Sequence, residues 1–110
     1  MAAMKHKVSE LEGALLDAAV AKAEGRWSAD AIQAITEHPG VWRPSLNWAF
    51  GGPIIERERI ELASPGSHRH PGQWAAWTCV DDHEFYGATP LIAAMRAYVA
   101  SKFGDAVDLP

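Results

Sequence analysis

Residues 81 to 84 read Asp-Asp-His-Glu, and His68 and His70 stand in the breaker-rich loop SPGSHRHPG that precedes them. Carboxylates and imidazoles together can hold a divalent cation if a hairpin brings the two loops to one side. Hairpin geometry works against this, because DDHE follows the return strand and so lies away from SHRHPG. The spacing also fits no standard zinc pattern, and adjacent aspartates ahead of a helix are ordinary turn chemistry. No metal is expected. Cys79 with His83 as its base would be a thiolate nucleophile. Cys79 falls in an apolar strand, however, where a lone cysteine acts as a small buried hydrophobe. Nothing adjacent would lower its pKa. The sequence therefore assigns no catalytic residue and no cofactor, and leans away from an enzyme.

The stretch NWAFGGPIIERERIEL, residues 47 to 62, holds the most unusual grouping. Gly51, Gly52 and Pro53 lack the spacing and the lysine of a phosphate-binding loop. They read as a tight corner that Trp48 and Phe50 fasten to the core. The competing reading is a groove lined by Trp48, with Glu56 and Arg57 at its mouth. Five tryptophans (27, 42, 48, 74 and 77) in 110 residues supply large amphipathic area. Such area builds either a core or a binding surface. Trp74 and Trp77, three positions apart, face opposite sides of a regular strand, so one of them needs a cover other than the core. The candidate ligand- or partner-binding set is thus Trp48, Gly51, Gly52, Pro53, Glu56, Arg57, Trp74 and Trp77.

The elements that would position these residues follow from local signals. Ser9-x-x-Glu12 has the form of a capping box and predicts a helix from Glu10 to about Glu24, stopped by Gly25. On that helix Glu10, Asp17 and Glu24 share one narrow stripe, with Leu11, Leu15 and Ala18 on one flank and Leu16, Val20 and Ala23 on the other. A helix apolar on two sides is covered on two sides, by the fold or by a partner. Ser28 caps a short helix over 28–37 that His38-Pro39-Gly40 ends. VWRPS reads as a short extended edge piece. Ser45 caps a single turn, Leu46 to Phe50, closed by Gly51 in the left-handed conformation, and a turn follows over Pro53 to Glu56. A strand over 58–63 then pairs with a return strand over 73–79. Thr89 before Pro90 starts the last helix. Its Leu91, Ile92, Met95, Tyr98, Val99 and Phe103 fill one arc, while Ala93, Ala97, Ala100 and Ser101 form a smooth back. Gly104 ends it, and AVDLP forms a final short strand.

Composition narrows the function classes. A chain of this length is one domain, and 48% hydrophobic with 22% charged residues is the balance of a folded globular protein. A net charge of −4 argues against broad binding of a phosphate backbone. Lys5, Lys7, Arg43, Arg57, Arg59 and Arg96 would have to line up for that. The single cysteine rules out an internal disulfide and suits a reducing compartment. Leu11 to Ala23 is interrupted by Glu12, Asp17 and Lys22, so it is neither a signal peptide nor a membrane span. A cytoplasmic protein is expected.

Three blocks, VSELEGALLDAAVAKAEG, SLNWAFGGPIIERERIEL and GATPLIAAMRAYVASKFGDAVDLP, resemble in this order the NinX-like phage proteins, small products of phage and prophage genomes. The resemblance spans most of the chain and is weakest over 26–40 and 64–73. It implies an accessory role inside an infected bacterium and supplies no catalytic residue.

The expectation is an α+β fold, with N- and C-terminal helices packed on one face of a small antiparallel sheet that has a central hairpin. The expected function is binding of an unidentified host or phage protein, with a symmetric homodimer open and neither nucleic acid nor membrane as partner. The alternative is a small-molecule-binding protein or enzyme whose Trp-lined pocket gathers Glu56, Arg57 and His83.

Overall fold

A computed structural model describes residues 4–66, 72–80 and 83–110. Its elements are β1 (Met4–Lys7), a 3-10 turn (Val8–Glu10), α1 (Gly13–Glu24), α2 (Ala29–Glu37), α3 (Trp48–Glu58), β2 (Glu61–Ala63), β3 (Trp74–Trp77), β4 (Phe85–Gly87), α4 (Pro90–Phe103) and β5 (Ala106–Leu109). The strands form two antiparallel sheets, β1 with β5 and β2-β3-β4 with β3 in the middle. The fold class is α+β, as the sequence predicts.

Helix α4 is the axis of the molecule. It packs on β3, β4, α1 and α3, and Leu91, Ala93, Ala94, Met95, Ala97, Tyr98, Val99 and Ala100 are all buried. A helix that is apolar on every side belongs inside. The smooth alanine back is therefore taken up within the fold, with Ala97 only 3% exposed. The start follows the local signals: the Thr89 hydroxyl accepts from the Ile92 amide at 3.1 Å, with Pro90 first in the helix. Gly87 lets β4 approach closely, since a Cβ there would stand 2.7 Å from the Ala93 nitrogen.

Helix α1 packs on both α2 and α4, which accounts for its two apolar flanks except at Leu15, which stays exposed. The capping box does not form. Ser9 sits in the 3-10 turn, and α1 starts at Gly13 behind Glu12, which makes no side-chain cap bond. Gly25 ends α1 in the left-handed conformation (φ 78°), as expected. In α2 the Ser28 hydroxyl accepts from the Ala31 amide at 3.1 Å. The terminal strand expected over AVDLP forms as β5 and pairs with β1, which lacks any apolar alternation to announce it.

The largest departure is α3. The sequence predicts a single turn ended by Gly51, whereas the helix runs unbroken through Gly51, Gly52 and Pro53 to Glu58. Asn47, not Ser45, caps it, its Oδ1 accepting from the Ala49 amide at 2.9 Å. Proline is tolerated here because the carbonyl it leaves unbonded, on Ala49, belongs to an exposed residue that water can reach. Gly52, lacking a Cβ, also relieves the crowding that proline imposes on the residue before it. Gly51 is buried against the Pro44 carbonyl and Leu91, where a Cβ would stand at 2.5 and 2.6 Å. The glycine pair thus marks close packing rather than a stop. No strand forms over VWRPS, whose Pro44 and Ser45 begin a turn, and β2 begins at Glu61 instead of 58. Among the described residues no helix is long and apolar enough to cross a membrane.

Candidate functional site

The eight candidate residues divide by location. Six lie on α3, and helical spacing sorts those six. Trp48, Gly52 and Glu56, at i, i+4 and i+8, share the outer stripe with Pro53. Gly51 points inward, and Arg57 lies across the helix. Trp48 is 52% exposed. Just before it, Val41 and Leu46 are 82% and 61% exposed, so one eight-residue segment presents three large apolar side chains to solvent.

This segment is anchored from behind by Asp17 of α1. The Asp17 side chain is fully buried, and its Oδ2 accepts from Arg43 Nε at 2.5 Å while its Oδ1 accepts from the Ser45 amide at 2.8 Å. The amides of Leu46 and Asn47 both donate to the Arg43 carbonyl and close the turn between. Trp42 packs on Trp27 with ring centroids 4.9 Å apart, beside the core. A buried carboxylate is expensive without partners, and these are its partners. Sequence reasoning placed Asp17 on a polar stripe and missed its role. The available signal was an acid inside the apolar run LLDAAVA of a helix expected to be covered on both sides.

At the other end of α3, Arg57 donates to Glu24 through Nη1 at 3.3 Å and Nη2 at 2.7 Å, and to Glu58 through Nε at 2.8 Å. Tyr98 Oη donates to Glu24 Oε2 at 2.5 Å and accepts from Arg57 Nη2 at 3.1 Å. Burial raises the Tyr98 phenol pKa, and its bond to Glu24 adds to the rise. Burial also pushes Glu24 upward, but the bonds from Arg57 and Tyr98 outweigh it and hold that carboxyl below its ordinary value. The group borders an open depression of ≈ 390 Å³ with Ala23, Arg26 and Lys102. With Nε, Nη1 and Nη2 all engaged, Arg57 fastens the end of α3 to Glu24 and Tyr98.

The remaining candidates stand apart. Trp74 packs against the core on the face of the sheet toward α4, while Trp77, on the other face, donates its indole N–H to Glu61 at 3.0 Å. No tryptophan is among the walls of four of the cavities that described residues line. Glu56, Arg57 and His83 share none of these. Cys79 is exposed beyond the end of β3 rather than buried in a strand. His68, His70, Asp81 and Asp82 lie outside the described residues. Of the six cations a nucleic-acid stripe would need, Arg43 and Arg57 are held by carboxylates, and Arg96 is held by the carbonyls of Leu11 and Tyr86.

Among the described residues, three large apolar side chains are thus exposed on one segment whose backbone a buried carboxylate holds. A search of the curated proteins finds no match. A family model described as "Bacteriophage P22, NinX" matches residues 7–102, which takes in all four helices apart from the last residue of α4, and the chain belongs to that phage protein family.

Proposed function

We propose that this protein is a phage accessory protein that works in the infected bacterial cell by binding another protein through the segment from Val41 to Trp48. One observation carries the reading. Val41, Leu46 and Trp48 are exposed by 82%, 61% and 52% on a segment whose backbone is fixed from behind, at Ser45, by a buried carboxylate. Scattered single apolar residues need no explanation, but three on one short segment that is also held in shape fit a partner. Trp48 is the anchor, since tryptophan is the residue type most enriched among binding hot spots. A preformed turn also saves the ordering cost that a floppy loop would incur on association.

The test compares capture from phage-infected cells by tagged wild-type protein and by a Leu46→Glu/Trp48→Glu double variant, with nuclease present. Both side chains are exposed, so the variant is expected to fold with an unchanged circular dichroism spectrum. It should lose a stoichiometric partner that the wild type retains. Equal recovery of every partner by the two proteins would overturn the assignment to this segment. A second copy of the same chain recovered by the wild type and lost by the variant would make the partner itself.

A further inference from the structure

Arg96 of α4 is half-buried and has no carboxylate within ion-pair distance among the described residues. Its Nε donates to the Leu11 carbonyl at 2.8 Å and its Nη1 to the Tyr86 carbonyl at 2.6 Å, which fixes the guanidinium between the 3-10 turn and β4. A guanidinium has five N–H donors, so Nη2 and half of Nη1 remain. Burial works against its charge, and only Glu12 offsets this through space.

Arg96 lines a cavity of ≈ 320 Å³ with Ser9, Gln73, Glu84, Phe85 and neighbours. Glu84 is held by one oxygen, Oε1, which accepts from Tyr86 Oη at 2.8 Å. A cation and an anion thus border one small cavity without meeting. Each is fastened by a different part of Tyr86, the carbonyl for Arg96 and the hydroxyl for Glu84. Opposite charges left to themselves would pair; held apart, they form a two-pole socket. The volume is near the lower end of ligand pockets, which run from roughly 300 Å³ upward. A second cavity, of ≈ 270 Å³, shares Ser9, His83 and Phe85 with the first and carries Lys7 and Asp105, again one charge of each sign.

We propose that this groove binds a small zwitterion, an α-amino acid, with its carboxylate on the free N–H groups of Arg96 and its ammonium on the free oxygen of Glu84. The guanidinium suits a carboxylate by its planar fork. A purely anionic ligand would meet Glu84 and a purely cationic one Arg96, so the socket selects against both. The site is distinct from the Val41–Trp48 segment, and either reading can fail without the other.

The test is a ¹H–¹⁵N NMR titration with L-alanine and L-phenylalanine. Each is compared with its half-ligands: propanoate and ethylamine for the first, 3-phenylpropanoate and phenethylamine for the second. Saturable shifts are expected at the amides of Ser9, Phe85, Tyr86 and Gly87, with each half-ligand at least about tenfold weaker than its parent. Glu84→Gln, a surface-accessible change that keeps the Tyr86 acceptor, should bring the amino acid down to the level of its carboxylate half-ligand. Arg96→Lys, with folding checked by the same spectrum, should weaken binding by a comparable factor. No saturation by concentrations on the order of 10 mM, a half-ligand equal to its parent, shifts confined to Val41–Trp48, or an unaffected Glu84→Gln would each overturn the proposal.

Discussion

Helix α1 carries two carboxylates seven residues apart on one side, and each receives an arginine from a later part of the chain. Asp17 takes Arg43 and Glu24 takes Arg57. The chemistry is the same, but the surroundings differ. Asp17 is 0% exposed with a partner at 22%, while Glu24 is 10% exposed with a partner at 50%. The remaining bond on Asp17 comes from a backbone amide, Ser45, and that on Glu24 from a side chain, Tyr98. Depth decides what each pair does. In the interior, removing one partner strands a charge that water cannot reach; near the surface, water and salt take over much of the interaction. The Asp17 pair therefore shapes the turn that presents Leu46 and Trp48, and the Glu24 pair trims the far end of α3.

The sharpest way to break this contrast is Asp17→Ala. It leaves the Ser45 amide and Arg43 without their acceptors, and breaking a buried pair costs on the order of 3–5 kcal/mol. That is a large share of the 5–15 kcal/mol typical of a domain. Urea unfolding should show a fall in unfolding free energy of that size, read as a lower midpoint at unchanged slope. Asp17→Asn, which keeps an oxygen for the Ser45 amide, should lose less and still release the turn, seen as amide hydrogen exchange at residues 41–47. Were Asp17→Ala no worse than the matching change at Glu24, depth would not be what separates the two pairs.

Gly51→Ala attacks the same turn from the other side. The new methyl would meet the Pro44 carbonyl and Leu91 Cδ2, so the segment behind Ser45 or the start of α4 has to move. Overpacking of this kind costs about 1–3 kcal/mol. A thermal melt is expected to show the loss, and Gly52→Ala, whose nearest contact is an ordinary 3.7 Å to the Trp48 ring, should show little. Equal effects at the two glycines would mean that the close approach at Gly51 is not what holds the turn against the core.

These sites also mark where the sequence was legible. Helices α2 and α4 were readable because Ser28, Thr89 and Pro90 act on their immediate neighbours, and the α+β class followed from them and the hairpin. Helix α3 was misread because Gly51-Gly52-Pro53 is a local stop signal overridden by a distant contact with Leu91, forty residues further on. Strands β1 and β4 carry no usable pattern, since MKHK pairs only with residues at the other terminus and FYG is three residues long. Of the candidate surface, Trp48 could be named from its residue type. Val41 and Leu46 could not, because exposure is a property of the turn and not of the residue.

Glu24→Gln should cost far less, about 1 kcal/mol or below at neutral pH, because Arg57 is half-exposed. Its signature is the pH dependence. Glu24 titrates below its ordinary 4.5 in the folded protein, so its contribution is fully present above 4.5 and is lost as pH falls through the lower folded value. Wild type and variant should therefore converge in stability under acid conditions and separate above.

The smallest effect expected is a gain. Arg59 ends α3 in the left-handed conformation, φ 54° and ψ 46°, with its amide donating to the Glu56 carbonyl at 3.3 Å and the Ile60 amide to Ile55 at 3.0 Å. That pairing is the closing pattern for which glycine is the usual residue. A side chain in this conformation costs roughly 1–2 kcal/mol, part of which glycine gives back as backbone entropy. Arg59→Gly should then stabilise the protein by about 0.5–1 kcal/mol in urea unfolding. The same substitution in the Glu24→Gln background decides what the outer pair does. If Glu24 and Arg57 only neutralise each other at the surface, the two changes add to within about 0.3–0.5 kcal/mol. If the pair instead holds the chain in the left-handed turn two residues on, the gain from glycine will be larger once the pair is gone, and the outer pair is then as much a shaping element as Asp17.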